Sequence, residues 1–217
     1  AESVLLPAEM EMGVVLVDIG GGTTEVTYFE EGSVLQTSVL PIGGEYITKD
    51  LAIVLRTSME EANRIKEIHG VASPEMAKSD MVVHVHNIQG KEAREVSQQV
   101  IAEIISARVT EMTELIYAEL KQFQCLNRMP GGIVLTGGGA ELVGFAELME
   151  EYISVPVRVG LPENVKGLPP DFNRPQNAVV LGGLLYSARQ RASKQEESPR
   201  FMGLIDRLTY WFKDLFR

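Results

Sequence analysis

The sequence predicts an α/β fold whose elements run β-β-β-α, then an insertion, then β-α-β-α. Three observations predict it. Gly13 to Ile19 (GVVLVDI) and Ile133 to Thr136 (IVLT) are short apolar runs that each lead into a glycine triplet, the mark of strands buried on both faces. Between them, residues 57–127 change texture to long helical stripes. The segments on either side of that change join into one alternating pattern, so 1–56 plus 128–188 reads as one discontinuous unit and 57–127 as an inserted α+β subdomain.

Each element has a local reason. After Gly20, Gly21 and Gly22 the pattern alternates through Val26 and Tyr28, turns at EEGS and resumes as Val34 to Leu40, a strand hairpin. Gly43 and Gly44 punctuate the chain, and Ile47, Leu51 and Leu55 give a helix over about 45–56. Ser58 caps a second helix, with Glu60 and Glu61 in its first turn and Gly70 after its end. Met81 to Asn87 (MVVHVHN) alternates as a strand. Glu92 to about Gln124 reads as one helix about 50 Å long, with Val96, Val100, Ile104, Met112, Leu115, Leu120 and Phe123 as its apolar stripe. Ala140 to Tyr152 is an amphipathic helix, Val155 to Val159 a strand and Asn177 to Arg189 a helix.

Composition narrows the function. With 217 residues, 45% of them apolar, the chain closes a real core. A net charge of -10 argues against a nucleic-acid binder, which needs a basic face. The single cysteine, Cys125, excludes an internal disulfide framework and fits a reducing, cytoplasmic compartment. The opening AESVLLPAEMEMG has neither an initiator Met nor a signal-peptide pattern and reads as an excised piece.

Two glycine clusters carry the chemistry. Asp18 closes the first strand and is followed by Gly20, Gly21, Gly22, Thr23 and Thr24. Bare backbone lets N–H groups approach phosphate oxygens, the threonines add hydroxyl donors, and a strand-end carboxylate can hold Mg2+ through water. A Walker or dinucleotide loop would open a helix, whereas here a hairpin follows and no lysine is present. Gly137, Gly138 and Gly139 lie between a buried strand and a helix start, a floor suited to a nucleoside and its first phosphate. A tight hairpin start accounts for the first cluster alone, and a strand-to-helix cap for the second. Together, at equivalent strand ends and beside a helix carrying Asn63, Lys66 and Glu67, they read as a Mg-ATP cleft.

The element order is similar to that of the actin and Hsp70 superfamily, a ribonuclease-H-like layout. More specifically, DIGGGTTEV, PIGGEYITKDLA, the RIKEIHG helix and IVLTGGGAELVGFAELMEEY resemble the second half of the FtsA family, actin-like bacterial cell-division proteins, over essentially the whole chain. The resemblance implies an actin-like domain in which Asp18 belongs to the second phosphate motif and Gly137 to Gly139 to the adenosine motif. It further implies that Asn63, Lys66 and Glu67 form the adenine and ribose wall, with Asn63 standing where some relatives carry an acidic residue. In such a family the first half supplies the other phosphate hairpin, so this piece holds half a site and at most a weak ATPase belongs to the complete protein.

Two further features concern partners. Arg189 to Arg200 is polar, breaks at Pro199 and reads as a flexible linker, and the chain from Arg189 onward carries a local charge of +3 against -13 for the rest. In the last segment Phe201, Leu204, Ile205, Leu208, Trp211, Phe212, Leu215 and Phe216 fall on one helical side, the pattern of a helix lying in an anionic membrane interface. Docking on the protein itself or on a partner fits the same pattern. Arg94 and Arg108 are placed on one edge of the long helix by their spacing, where isolated arginines are as a rule simply solvated. The resemblance makes them contacts for the acidic C-terminal peptide of FtsZ. It also implies self-association into filaments and a place on the cytoplasmic face of the membrane at the division site. Rival readings are a phosphotransferase or polyphosphatase of the same superfamily, and the actin-like adaptor of type IV pilus assembly.

Overall fold

In the computed structural model, described over residues 1–162, 167 and 169–197, five strands form one mixed sheet. β1 (Val14–Ile19), β2 (Thr24–Glu30) and β3 (Ser33–Leu40) form an antiparallel meander. β6 (Ile133–Thr136) and β7 (Val157–Val159) add in parallel on the other side of β1. The central strand explains its own sequence: Val15, Val17 and Ile19 enter one core, and Val14 and Leu16 enter the other. Register then places the glycines. β1 and β6 run parallel with Asp18 opposite Thr136, so the loops that follow both strands leave the same edge of the sheet.

The smaller core joins Val14, Leu16 and Phe29 to Val4, Leu5 and Ala178, the first residue of α6 (Ala178–Glu197), with α1 (Pro7–Met12) packed alongside through Met10. The larger core is covered by α2 (Gly44–Val54), α3 (Met59–His69), α4 (Gln98–Phe123) and α5 (Phe145–Ile153). α3 starts where Ser58 accepts the Glu61 amide at 3.2 Å. In α4, Ile101, Ile105, Val109, Met112, Ile116 and Leu120 recur at three- and four-residue steps and all are fully buried. Each contributes ~1.5–3 kcal/mol by leaving water, and Leu120→Ala would cost ~2–5 kcal/mol.

Four expectations change. Residues 93–97 are not helical: β5 (Ala93–Ser97) pairs antiparallel with β4 (Val82–His86), turning at Gly90, and α4 begins only after Ser97 accepts the Val100 amide. The helix is therefore about 39 Å long, and its buried stripe runs through Ile101 and Ile105, leaving Val100 and Leu115 exposed. α4, placed by its sequence in the inserted subdomain, shares its core with Val15 and Val17 of the sheet. Finally, α6 continues to Glu197 into the span expected as a linker, because Arg, Gln, Ala, Lys and Glu propagate a helix. The amphipathic segment 201–217 lies outside the described residues.

Candidate functional site

The first glycine loop is built against the start of α2. Gly44 and Glu45, its first amides, donate to the Gly20 and Gly21 carbonyls at 2.9 and 2.8 Å, so the loop caps the helix without any side chain. This contact requires Gly43: a Cβ there would stand 2.4 Å from the Gly21 oxygen. Turning the carbonyls toward α2 leaves the Gly21 and Gly22 amides without an acceptor among the described residues. Thr24 is buried and its hydroxyl donates to the Ile42 carbonyl at 2.8 Å. It braces the loop instead of offering the phosphate contact its sequence position suggests.

The second loop is held by the segment before α6. The Gly137 amide and the Thr136 hydroxyl both reach the Pro175 carbonyl, at 3.2 and 3.3 Å. Gly137 has φ +82°, and a Cβ there would meet Asp18 Oδ1 at 2.3 Å. Gly138 and Gly139 head a short 3-10 turn, and their amides have no acceptor among the described residues.

The two loops meet in one cavity of about 490 Å³, lined by Gly20 and Gly21 on one side and Gly138 and Gly139 on the other. α3 supplies its wall through Asn63, Lys66 and Glu67. That wall is tied to the second loop by a bridge between Val71 and Val143, with the Ala72 amide on the Val143 carbonyl at 2.8 Å. Lys66 Nζ donates to Thr48 Oγ1 at 2.8 Å and to the Gly44 carbonyl at 3.1 Å. Asn63 Nδ2 donates to Glu67 Oε1 at 2.8 Å. Burial pushes the Lys66 pKa down, against the attraction of Glu67 and Glu45.

The rest of the expected set is placed differently. Asp18, Gly22, Thr23 and Gly137 do not line this cavity; they flank it in the loops. Asp18 lies on the opposite sheet face from Ile19 and lines a second hollow with Glu25 and Thr27. Burial, then Glu25, raises its carboxyl pKa. Arg94 and Arg108 do not share a helix edge, since Arg94 sits on β5. Both still converge on α2: Arg94 Nη2 donates to the Leu55 carbonyl at 2.8 Å, and Arg108 pairs with Asp50.

Sequence reasoning missed the mouth of the cavity, where Arg174 Nε donates to Glu141 Oε1 at 3.0 Å and Gln176 stands beside them. Glu141 lies two residues after the last glycine of the second loop and could have been found there. Arg174 has no local signal, because only the strap to Pro175 brings it in. Among the described residues, Lys66 and Arg174 are the cavity's cations, against Glu45, Glu67 and Glu141. The cavity can therefore offer backbone donors to an anion and polar side chains to a sugar or base, but holds little positive charge of its own.

Comparison with known proteins agrees with this architecture. Among solved structures, MreB 5 of Spiroplasma citri bound to AMPPNP superposes with a TM-score of 0.68 at 16% identity, over 88% of this chain and 57% of that one. A PilM-PilN type IV pilus biogenesis complex gives 0.61 at 20% identity, over 81% of this chain and 46% of that one. These likenesses are of fold, and the fold is actin-like. In sequence, Cell division protein FtsA of Pseudomonas aeruginosa is 36% identical over all of this chain and 54% of its own length. That of Escherichia coli K12 is 33% identical over 99% and 54%. The FtsA of Bacillus subtilis reaches 40% over 76% of this chain and 37% of its own length. The chain thus spans about half the length of the relatives it matches. The family model described as Cell division protein FtsA matches residues 15–182, and the chain belongs to the FtsA family of actin-like cell division proteins.

Proposed function

We propose that this chain is one half of an actin-like ATP-binding protein and contributes one side of its nucleotide site. One observation carries the reading: two glycine loops from neighbouring strand ends, together with Asn63, Lys66 and Glu67, line a single cavity. Phosphates would take the Gly21 and Gly22 amides, with Thr23 beside them, and the nucleoside would lie between α3 and the Gly138–Gly139 turn. Mg2+ fits the donor set. The cavity lining is net acidic, so a polyphosphate needs a cation with it, and Asp18 is a half-buried carboxylate with no hydrogen-bond partner among the described residues. Asp18 opens on the second hollow and not on the cavity, so an ion held there through water would neutralise phosphate charge only where the phosphates extend past the first glycine loop.

Half a cleft binds nucleotide weakly or not at all, and hydrolysis needs the other half. In the complete protein, ATP binding between the halves would support filaments. Arg94, exposed on β5, and Arg108 would meet the acidic FtsZ tail. Residues 201–217 would tie the assembly to the cytoplasmic membrane face at the division site.

Calorimetric titration of the complete protein with Mg-ATP tests the cleft. Gly138→Asp puts a negative charge where a Cβ meets nothing within 4 Å, so the fold tolerates it and binding should weaken at least about tenfold. Unchanged affinity would overturn the reading. Micromolar binding by residues 1–217 alone would overturn the half-site.

A further inference from the structure

Thr48 is nearly fully buried, at 3% exposure, and does not line the cavity, yet three groups of the cavity wall converge on its hydroxyl. Oγ1 accepts from Lys66 Nζ at 2.8 Å and stands 3.3 Å from Asn63 Oδ1 and 3.4 Å from the Gly44 carbonyl. A hydroxyl carries one proton, so it donates to one of those two oxygens at a time while accepting from the ammonium.

We infer that Thr48 is the positioning residue of this site: its hydroxyl fixes where the Lys66 ammonium and the Asn63 amide present themselves to the ligand. The inference rests on the cavity being a nucleotide site. An ammonium has three N–H donors. Thr48 and the Gly44 carbonyl take two from Lys66, which leaves one for a ligand. Asn63 is held from both ends, its Oδ1 facing the Thr48 hydroxyl and its Nδ2 donating to Glu67 at 2.8 Å. Glu67, an acceptor only, sets which way the amide faces, and the Thr48 hydroxyl restrains its Oδ1 end. The Gly44 carbonyl belongs to the same turn whose amides hold the Gly20 and Gly21 carbonyls, so one hydrogen-bonded path runs from the first glycine loop to the polar wall.

Replacing the hydroxyl by a methyl at constant shape removes the acceptor from Lys66 and the restraint from Asn63. The test compares Thr48→Val, Thr48→Ala and Thr48→Ser in the complete protein. Mg-ATP affinity should fall about tenfold in the Val and Ala variants and stay within about twofold in the Ser variant. Adding Lys66→Met to Thr48→Val should cost less than the two single losses combined, because both act through one ammonium. The side-chain amide signals of Asn63 in the ligand-free protein should shift in Thr48→Val and return in Thr48→Ser, a readout independent of nucleotide. Unchanged affinity in folded Val and Ala variants, an equal loss in Ser, or unmoved Asn63 signals would overturn the positioning role. Absence of Mg-ATP binding by the wild type would overturn the nucleotide reading itself.

Discussion

Arg108 and Asp50 are joined by two parallel hydrogen bonds, Nε to Oδ2 at 2.6 Å and Nη2 to Oδ1 at 3.0 Å, which tie α4 to α2. Glu111 takes a third guanidinium N–H, and the Tyr46 ring centroid lies 5.7 Å from Cζ. The pair is only partly exposed, at 21% for Arg108 and 26% for Asp50, and this two-pronged geometry raises it above an ordinary surface contact. A double-mutant cycle over Asp50→Ala and Arg108→Ala in urea should return a coupling of about 1–2 kcal/mol. Additive losses would show that α2 and α4 are held by their apolar contacts alone.

Adjacent glycines of the second loop should respond in opposite ways. A Cβ on Gly139 would stand 2.2 Å from Ile19 Cγ2 in the core, so Gly139→Ala should destabilise the fold by about 1–3 kcal/mol. Gly138 faces open space, and Gly138→Ala should change stability by less than about 0.5 kcal/mol. Equal midpoints in denaturant for the two variants would contradict the loop geometry.

Glu61 gives the acid response a definite sign. Hydrogen bonding from Arg64, with His86 adding to it, holds its carboxyl down at about 2, against an ordinary 4.5. A depressed folded-state pKa contributes stability above 4.5 that is lost as pH falls toward 2. Because Arg64 and His86 are themselves exposed, the contribution is screened to about 1 kcal/mol. The stability gap between wild type and Glu61→Gln should be full at pH 7 and shrink steadily below pH 4.5. A gap independent of pH would show that the pair adds nothing.

The C-terminal segment can be tested by sedimentation with anionic liposomes. Trp211→Glu places a charge on the apolar side of the expected helix and should abolish pelleting that the wild type shows. Equal pelleting would remove the anchor.

The sheet was legible because its central strand is buried on both faces, and a short, continuous apolar run that ends in glycines matches little besides such a strand. Both glycine loops followed from it. Ala93–Ser97 was not legible as a strand: KEAREVS is rich in helix formers, and pairing with β4 overrides that propensity. The one local hint was Gly90, a turn residue that follows the alternating run of β4. That misreading also put Arg94 and Arg108 on one helix. Within the site, Lys66 was legible from its helix face, but the Thr48 and Arg174 contacts were not, since partners 18 and 33 residues apart leave no periodic trace.

The central claim, that one nucleotide faces both glycine loops and α3, is tested most directly by photolabelling the complete protein with 8-azido-ATP and Mg2+ and mapping the modified peptide. Label should fall within residues 63–70 or 138–143 and disappear with excess ATP. Label confined to other parts of this chain, or label that ATP does not compete away, would contradict the account.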